Sequence, residues 1–204
     1  LDLHEEFSLP VDCPVIGNIA ALVPHKGQDC LIDAANQVSK EIPEARFLIV
    51  GSGELYESLR RKIHSLNLEQ HVILTGFRND VLSILRSLDL FVMSSLTEGL
   101  GTSVLDAMAA HRAVVATRAG GIPESVVDEE TGLLTPVGDA NSMSYAIVAL
   151  LKDSNRRHMF GQAGRQRAQQ FFSDDRMVER TSDVYANQAD TTHATGKAHH
   201  HETS

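Results

Sequence analysis

Cysteine is scarce in this chain: Cys13 and Cys30 are the only two. They stand at neither metal-ligand nor redox spacing, which excludes both chemistries as organising features, and a reducing compartment is the simple reading. Positive charge is also in short supply. Lysine and arginine number 18 against 27 aspartates and glutamates, a formal net charge of −9, which argues against a nucleic-acid surface. The short basic clusters Arg60-Arg61-Lys62 and Arg156-Arg157 read as solvated helix faces. No apolar run approaches the ~18 residues of a membrane span, and no secretory signal is apparent. A cytoplasmic location is therefore expected. The first residue is Leu1 rather than methionine, which raises the expectation of a removed leader or of a piece of a longer protein.

What is present suits a globular domain. A chain of 204 residues with 42% hydrophobic and 22% charged residues is long enough for one well-buried core. Residues 1–14 show no clear period and read as a linker leading into the domain. From Val15 apolar strands and amphipathic helices alternate: strands over Val15–Val23, Arg46–Val50, His71–Thr75, Leu90–Met93 and Ala113–Thr117, and helices over Lys26–Lys40, Glu54 to about Leu66, Asn79–Arg86 and from about Thr102. Short continuous apolar strands separated by helices predict an α/β fold, a doubly wound parallel sheet covered on both faces. From Ala140 to about Tyr185 the pattern is helical in two or three pieces. The domain is accordingly expected to span 15–188, followed over 189–204 by a polar, His-containing tail expected to be disordered. His193, His199, His200 and His201 in that tail read as solvated, since a metal site needs fixed geometry.

Chemistry gathers where such a sheet binds ligands, at the carboxyl ends of its strands. With the apolar run Leu90-Phe91-Val92-Met93 before it, the segment Glu98-Gly99-Leu100-Gly101-Thr102-Ser103-Val104-Leu105-Asp106 reads as strand, acidic glycine loop, helix. It puts bare backbone N–H groups at a helix N-terminus, where the dipole favours an anion, and it puts two carboxylates, eight positions apart, beside that anion site. Carboxylates so placed grip hydroxyls, as on a ribose or a hexose, and the combination points to a sugar nucleotide. Asp106 has an alternative reading as the third helical residue of a capping box begun by Ser103. Pro24-His25-Lys26-Gly27 offers a lysine either as phosphate counter-charge or as an exposed loop residue. Gly120-Gly121-Ile122-Pro123-Glu124 is a strand-to-helix turn with proline near the first helical position. Gly51-Ser52-Gly53 is an incomplete dinucleotide fingerprint: Tyr56 holds the third glycine position, and no acidic residue ends the next strand. A hydride-transfer enzyme is thereby disfavoured.

These motifs, in the order Pro24-His25-Lys26-Gly27, Gly51-Ser52-Gly53-Glu54, Gly76-Phe77, Glu98-Gly99-Leu100-Gly101, Gly120-Gly121-Ile122-Pro123-Glu124 and Gly132-Leu133-Leu134, resemble the nucleotide-sugar half of the family four retaining glycosyltransferases. The similarity covers about Val15 to Phe172. It implies one Rossmann-like half of a GT-B fold, the C-terminal donor-binding domain, with the N-terminal acceptor domain missing from this chain and any peripheral membrane association residing in that missing domain. It further implies that Glu98 contacts donor-sugar hydroxyls near the reacting centre and that Lys26 neutralises the diphosphate, the two catalytic assignments. Backbone N–H groups of Leu100 to Thr102, with Gly99 and Gly101 shaping the loop, would hold the diphosphate. Asp106 would accept from the ribose, and Gly76, Phe77 and Arg78 would flank the base. The expected substrate is a nucleotide-diphosphate sugar, with UDP the family's commonest carrier, and no metal or other cofactor.

Two departures from the family pattern stand out. The arginine usual five positions before the lysine is Ala21, with Arg78 and Arg118 the candidates to replace its charge, and Asp106 stands for glutamate. The expected function is transfer of a hexose to a hydroxyl acceptor with retention, this chain alone being inactive. A non-catalytic nucleotide-sugar binding module is the alternative, and an NDP-sugar epimerase a more distant one.

Overall fold

In a computed structural model that describes residues 2–171, six parallel strands form one sheet. The strands are β1 (Val15–Ile19), β2 (Arg46–Val50), β3 (Val72–Gly76), β4 (Leu90–Met93), β5 (Ala113–Thr117) and β6 (Gly132–Thr135), in the spatial order β3-β2-β1-β4-β5-β6. The helices are α1 (Leu3–Glu6), α2 (Gln28–Glu41), α3 (Tyr56–Ser65), α4 (Val81–Ser87), α5 (Thr102–Ala109), α6 (Ile122–Ser125), α7 (Ala140–Lys152) and α8 (Ser154–Phe171). Residues 1–168 make one compact unit, and of the second unit, 169–204, only the last turn of α8 is described.

Strand side chains alternate between faces, and that alternation sorts the core into two layers. On one face Ile16, Phe47, Ile49, Val92 and Val115 pack with α2, α3 and α7 through Leu31, Leu59 and Ile147. On the other Val15, Leu48, Phe91, Met93 and Val114 pack with α4, α5 and α6 through Leu85, Met108 and Ile122. Strands buried on both sides need continuous apolar runs, which is why β1, β4 and β5 have no exposed position.

The doubly wound parallel sheet is as the sequence predicts, with differences at its margins. The leading segment 1–14 is more than a linker: Asp2 caps the short α1 by accepting from the His4 and Glu5 amides, and Leu3, Leu9 and Cys13 are buried in the second layer. Its lack of period reflects burial of single anchors rather than of a helix face. The strand expected over 15–23 ends at Ile19, because Gly51 and Gly53 let the chain cross closely over the next loop. An added Cβ would lie 2.0 Å from the Ala20 carbonyl oxygen at Gly51 and 2.4 Å from that of Leu22 at Gly53. The helix expected from Lys26 begins at Gln28, since Gly27 is left-handed (φ 65°) and separates a single 3-10 turn, Pro24–Lys26, from α2. β6 is a strand that periodicity did not announce, only four residues long. The expected boundary at 188, the tail 189–204 and its histidines lie outside the described residues.

Candidate nucleotide-sugar site

Strand order reverses between β1 and β4, so the loops after these two strands part to opposite sides and leave a crevice at the carboxyl edge. Both loops carry predicted site residues. The Leu96 amide donates to the His25 carbonyl at 2.8 Å, and Ser94 Oγ donates to the Lys26 carbonyl at 2.9 Å. The approach is close enough that a Cβ on Gly27 would sit 2.2 Å from the Ser94 carbonyl oxygen. Gly27 is thus required twice, for its left-handed φ and for this contact.

This packing brings Lys26 and Glu98 together across 72 positions of sequence: Lys26 Nζ donates to Glu98 Oε2 at 2.6 Å. Their side chains are 19% and 11% exposed. Ser95 Oγ donates to the same Oε2 at 2.9 Å. Burial alone would push the Glu98 carboxyl up, but the hydrogen bonds from Lys26 and Ser95 outweigh it and hold Glu98 below the usual glutamate range. The carboxylate is therefore ionised near neutrality, with both side-chain donors converging on one oxygen.

Gly120 and Gly121 buttress the acidic loop from β5. A Cβ on Gly120 would meet the Glu98 carbonyl oxygen at 1.7 Å and one on Gly121 the Gly99 carbonyl oxygen at 2.3 Å, and the Gly121 amide donates to the Gly99 carbonyl at 3.0 Å. Gly99 itself faces open space, and Leu100 is half-buried. Gly101, left-handed at φ 70°, precedes α5 and supplies no side-chain cap. The first-turn amides of Thr102 and Ser103 consequently have no intrahelical partner, the usual setting for an anion.

Asp106 sits in the second turn of α5, not the first, because the helix starts at Thr102. The capping-box reading therefore fails, since Ser103 is already inside the helix. Among the described residues no hydrogen bond or ion pair to the Asp106 carboxylate is formed. It is exposed, and partial burial by its surroundings pushes its carboxyl up.

The remaining predicted residues stand farther along the sheet, on the edge strand. Gly76 ends β3 left-handed (φ 75°) with open space beyond it, and Phe77 is 76% exposed. Arg78 is not free to replace the charge lost at Ala21. Its guanidinium pairs with Asp80 at 2.7 Å and with Glu6 of α1, and it lies over the Phe7 ring; the Asp80 and Glu6 carboxylates drive its pKa up. Arg118 is likewise committed, to Asp128. Ala21 is exposed, and its carbonyl accepts from Gln28 Nε2. Ser94 and Ser95 were not singled out from the sequence. Their signal was two hydroxyls closing an apolar strand immediately before the acidic loop. A cavity of about 830 Å³ between α3 and β3, lined by Tyr56, Ile63, Val72 and Leu74 among others, contains none of these residues. Among the described residues no three His, Cys, Asp or Glu side chains gather as metal ligands, and no helix is long and apolar enough to cross a membrane.

A doubly wound sheet with a lysine–carboxylate pair and an uncapped, glycine-led helix at its switch point defines a Rossmann-like domain of the GT-B type. Residues 2–167 match the family described as glycosyl transferases group 1, and the chain belongs to that family. Over 172 residues it is 37% identical to a GDP-mannose-dependent alpha-(1-6)-phosphatidylinositol monomannoside mannosyltransferase of Mycolicibacterium smegmatis, covering 80% of this chain and 45% of that protein. It superimposes with a TM-score of 0.82 and 26% identity on Anabaena Alr3699/HepE, solved with UDP-glucose, covering 91% of this chain and 51% of that one. It also matches the C-terminal domain of LpcC, a glycosyl transferase group 1 protein of Francisella tularensis, with a TM-score of 0.75 and 28% identity, over 83% of this chain and 91% of that one. The chain spans about half the length of the curated relatives it matches.

Proposed function

We propose that this chain is the C-terminal, donor-binding domain of a retaining hexosyltransferase that moves a sugar from a nucleotide diphosphate to a hydroxyl acceptor. The observation that carries the proposal is the Lys26–Glu98 pair at the switch point, next to the open first turn of α5. The diphosphate lies against the Thr102 and Ser103 amides with Lys26 turned toward it. Glu98, held through Oε2, offers Oε1 to a sugar hydroxyl. Asp106, a carboxylate without a partner among the described residues, accepts from the ribose. Gly76 and Phe77 lie beside the base, and Arg78 serves that turn through its hold on Glu6 and Asp80. Lys26 and the helix amides stabilise the diphosphate as it departs, preorganised charge acting where charge develops. Among the described residues no side chain is placed as a nucleophile, and the acceptor is proposed to attack from the leaving group's own face through an oxocarbenium-like state, so that the anomeric configuration is kept.

UDP is the first carrier to test, supported by the UDP-glucose complex of the Anabaena neighbour, with GDP second, supported by the donor named for the mycobacterial relative. The acceptor comes from a second domain. Positioning of that kind accounts for ~7–11 kcal/mol of a barrier, so this chain alone binds donor and transfers nothing. Titration calorimetry with UDP, UDP-glucose, GDP and GDP-mannose tests the binding. Product analysis with the longest available form of the protein tests the reaction: a glycoside of retained configuration is expected. An isomerised sugar nucleotide would replace the proposal with an epimerase, and binding without any product would leave a binding module, the reading that Ala21 and the committed Arg78 and Arg118 favour.

A further inference from the structure

The two serines that close β4 each hold one half of the ion pair. Ser94 fixes the backbone of Lys26, and Ser95 fixes the side chain of Glu98. Both are fully buried, and Ser95 is in turn anchored from the neighbouring strand, its carbonyl accepting from Thr117 Oγ1 at 2.6 Å. A chain of contacts thus runs from β5 through Thr117 and Ser95 to Glu98 and Lys26.

If Lys26 turns to the diphosphate of a bound donor, Glu98 loses the cation that it holds at 2.6 Å. It would then be a carboxylate only 11% exposed, free to rotate or to take a proton, since an unpaired charge is costly in such surroundings. One other side-chain donor reaches it among the described residues, and that donor cannot leave with the ligand. We infer that Ser95 is the positioning residue for Glu98: it keeps the carboxylate aimed at the donor sugar once Lys26 is drawn away to the diphosphate. The inference rests on the donor-binding reading above. Ser95 touches neither sugar nor phosphate, and its whole effect passes through Glu98 Oε2. The alternative is a buried hydroxyl that satisfies itself on the nearest acceptor, in which case its removal would cost stability and leave discrimination between ligands untouched.

The test compares the purified chain with its Ser95→Ala and Ser95→Thr variants by calorimetry, using whichever of UDP/UDP-glucose and GDP/GDP-mannose the unaltered chain binds. Ser95→Ala should keep the free nucleotide within twofold while weakening the sugar nucleotide by at least about 10-fold, the lower end of the scale of one hydrogen bond to a charged group. Ser95→Thr, which keeps the hydroxyl, should restore the sugar nucleotide. The acid limb of sugar-nucleotide affinity should move to higher pH in Ser95→Ala, because a donor that holds the proton off Glu98 is gone. An unchanged ratio of the two affinities, or an equal loss of both, overturns the role of Ser95 and leaves the donor-binding reading standing. Failure of the unaltered chain to bind any of the four ligands defeats that reading and this inference together. Should Ser95→Ala not fold, Ser95→Val and Ser95→Thr, of similar volume, make the same comparison with and without the hydroxyl.

Discussion

At the carboxyl edge of the sheet, the loops after β1 and β4 hold a lysine against a carboxylate beside a helix that starts without a cap. At the amino edge of the same sheet, Arg112 donates to the Ala110 and Leu88 carbonyls that end α5 and α4, and Arg157 donates to the Leu150 and Leu151 carbonyls at the end of α7. The helices that follow strands β1 to β6 run antiparallel to them, so their positive ends collect at one edge and their negative ends at the other. Two responses to the same dipoles follow. The amino edge answers its surplus carbonyls internally, with guanidinium groups at helix C-termini. The carboxyl edge answers one helix the same way, Asp139 accepting from the Ser142 amide at the start of α7, but leaves the first amides of α5 without a side-chain cap, and in the proposed reading a ligand from solution satisfies them. Burial holds Arg112 below its usual arginine range, as expected for a cation fixed inside the fold rather than offered to a ligand. On the proposed reading, one edge serves stability and the other binding.

The largest expected effect tests the binding edge. Lys26→Ala removes a charge-assisted contact and leaves Glu98 ionised with no cation, so UDP affinity should fall toward the upper end of about 10- to 150-fold. Because a buried charge is stranded, the melting temperature should drop too. The double variant Lys26→Met/Glu98→Gln should recover the melting temperature without recovering UDP affinity. Calorimetry and thermal melting together separate the two consequences, and full recovery of affinity would mean that Lys26 has no contact with phosphate.

The amino edge should behave in the opposite way. Arg112→Met strands two carbonyls, worth about 1–3 kcal/mol, or a fall of roughly 2–12 °C in melting temperature for a domain of this size, with nucleotide affinity unchanged. A loss of affinity without destabilisation would break the division between the edges.

Arg78 lies between these cases, on the edge strand and bound to α1. Arg78→Ala should lower the melting temperature only slightly, as for a partly exposed ion pair, while UDP affinity stays within threefold on titration. A tenfold loss would show that the arginine leaves Glu6 and Asp80 to reach the ligand.

The smallest effect concerns Asp106. Its carboxyl titrates above the usual aspartate range when folded, so in the window between its unfolded and folded pKa values the folded state binds more protons, and stability declines as pH rises through that window. Asp106→Asn should remove this decline and raise the melting temperature at neutral pH by no more than about 2 °C. It should also weaken UDP and UDP-glucose by the same factor, since both carry the ribose. Melts from pH 4 to pH 8 and paired titrations check the two halves of the expectation.

The sequence made the sheet legible because strands buried on both faces must be continuously apolar: Leu90–Met93 and Ala113–Thr117 could be bounded to the residue. β6 escaped because Gly132-Leu133-Leu134-Thr135 is too short for a period, and α1 because its burial rests on isolated anchors. At the site, residue types and order were readable, while partners were not. Nothing local to Lys26 or Glu98 says that 72 positions apart they share a proton-donating contact, and nothing local to Arg78 reveals Glu6 as its counter-ion. Likewise Lys62 and Arg157, read as solvated, respectively tie α3 to Asp29 and Asp33 of α2 and bond the carbonyls ending α7. Spacing finds a helix face; it does not find what lies across the fold from it.

The return of the chain from edge strand β3 to β4 at the centre of the sheet has a consequence for how the site comes into being. During synthesis β1, β2 and β3 can assemble with α2 and α3 while Glu98 is still untranslated, and that half displays Lys26 with no carboxylate to meet it. The proposed site is complete only after β4 has docked against β1 and the Gly120-Gly121 turn has closed over the acidic loop. Cut between α4 and β4, the protein would become two fragments of which neither contains a binding site and whose reunion restores one. Nucleotide binding would then report the joining of the halves.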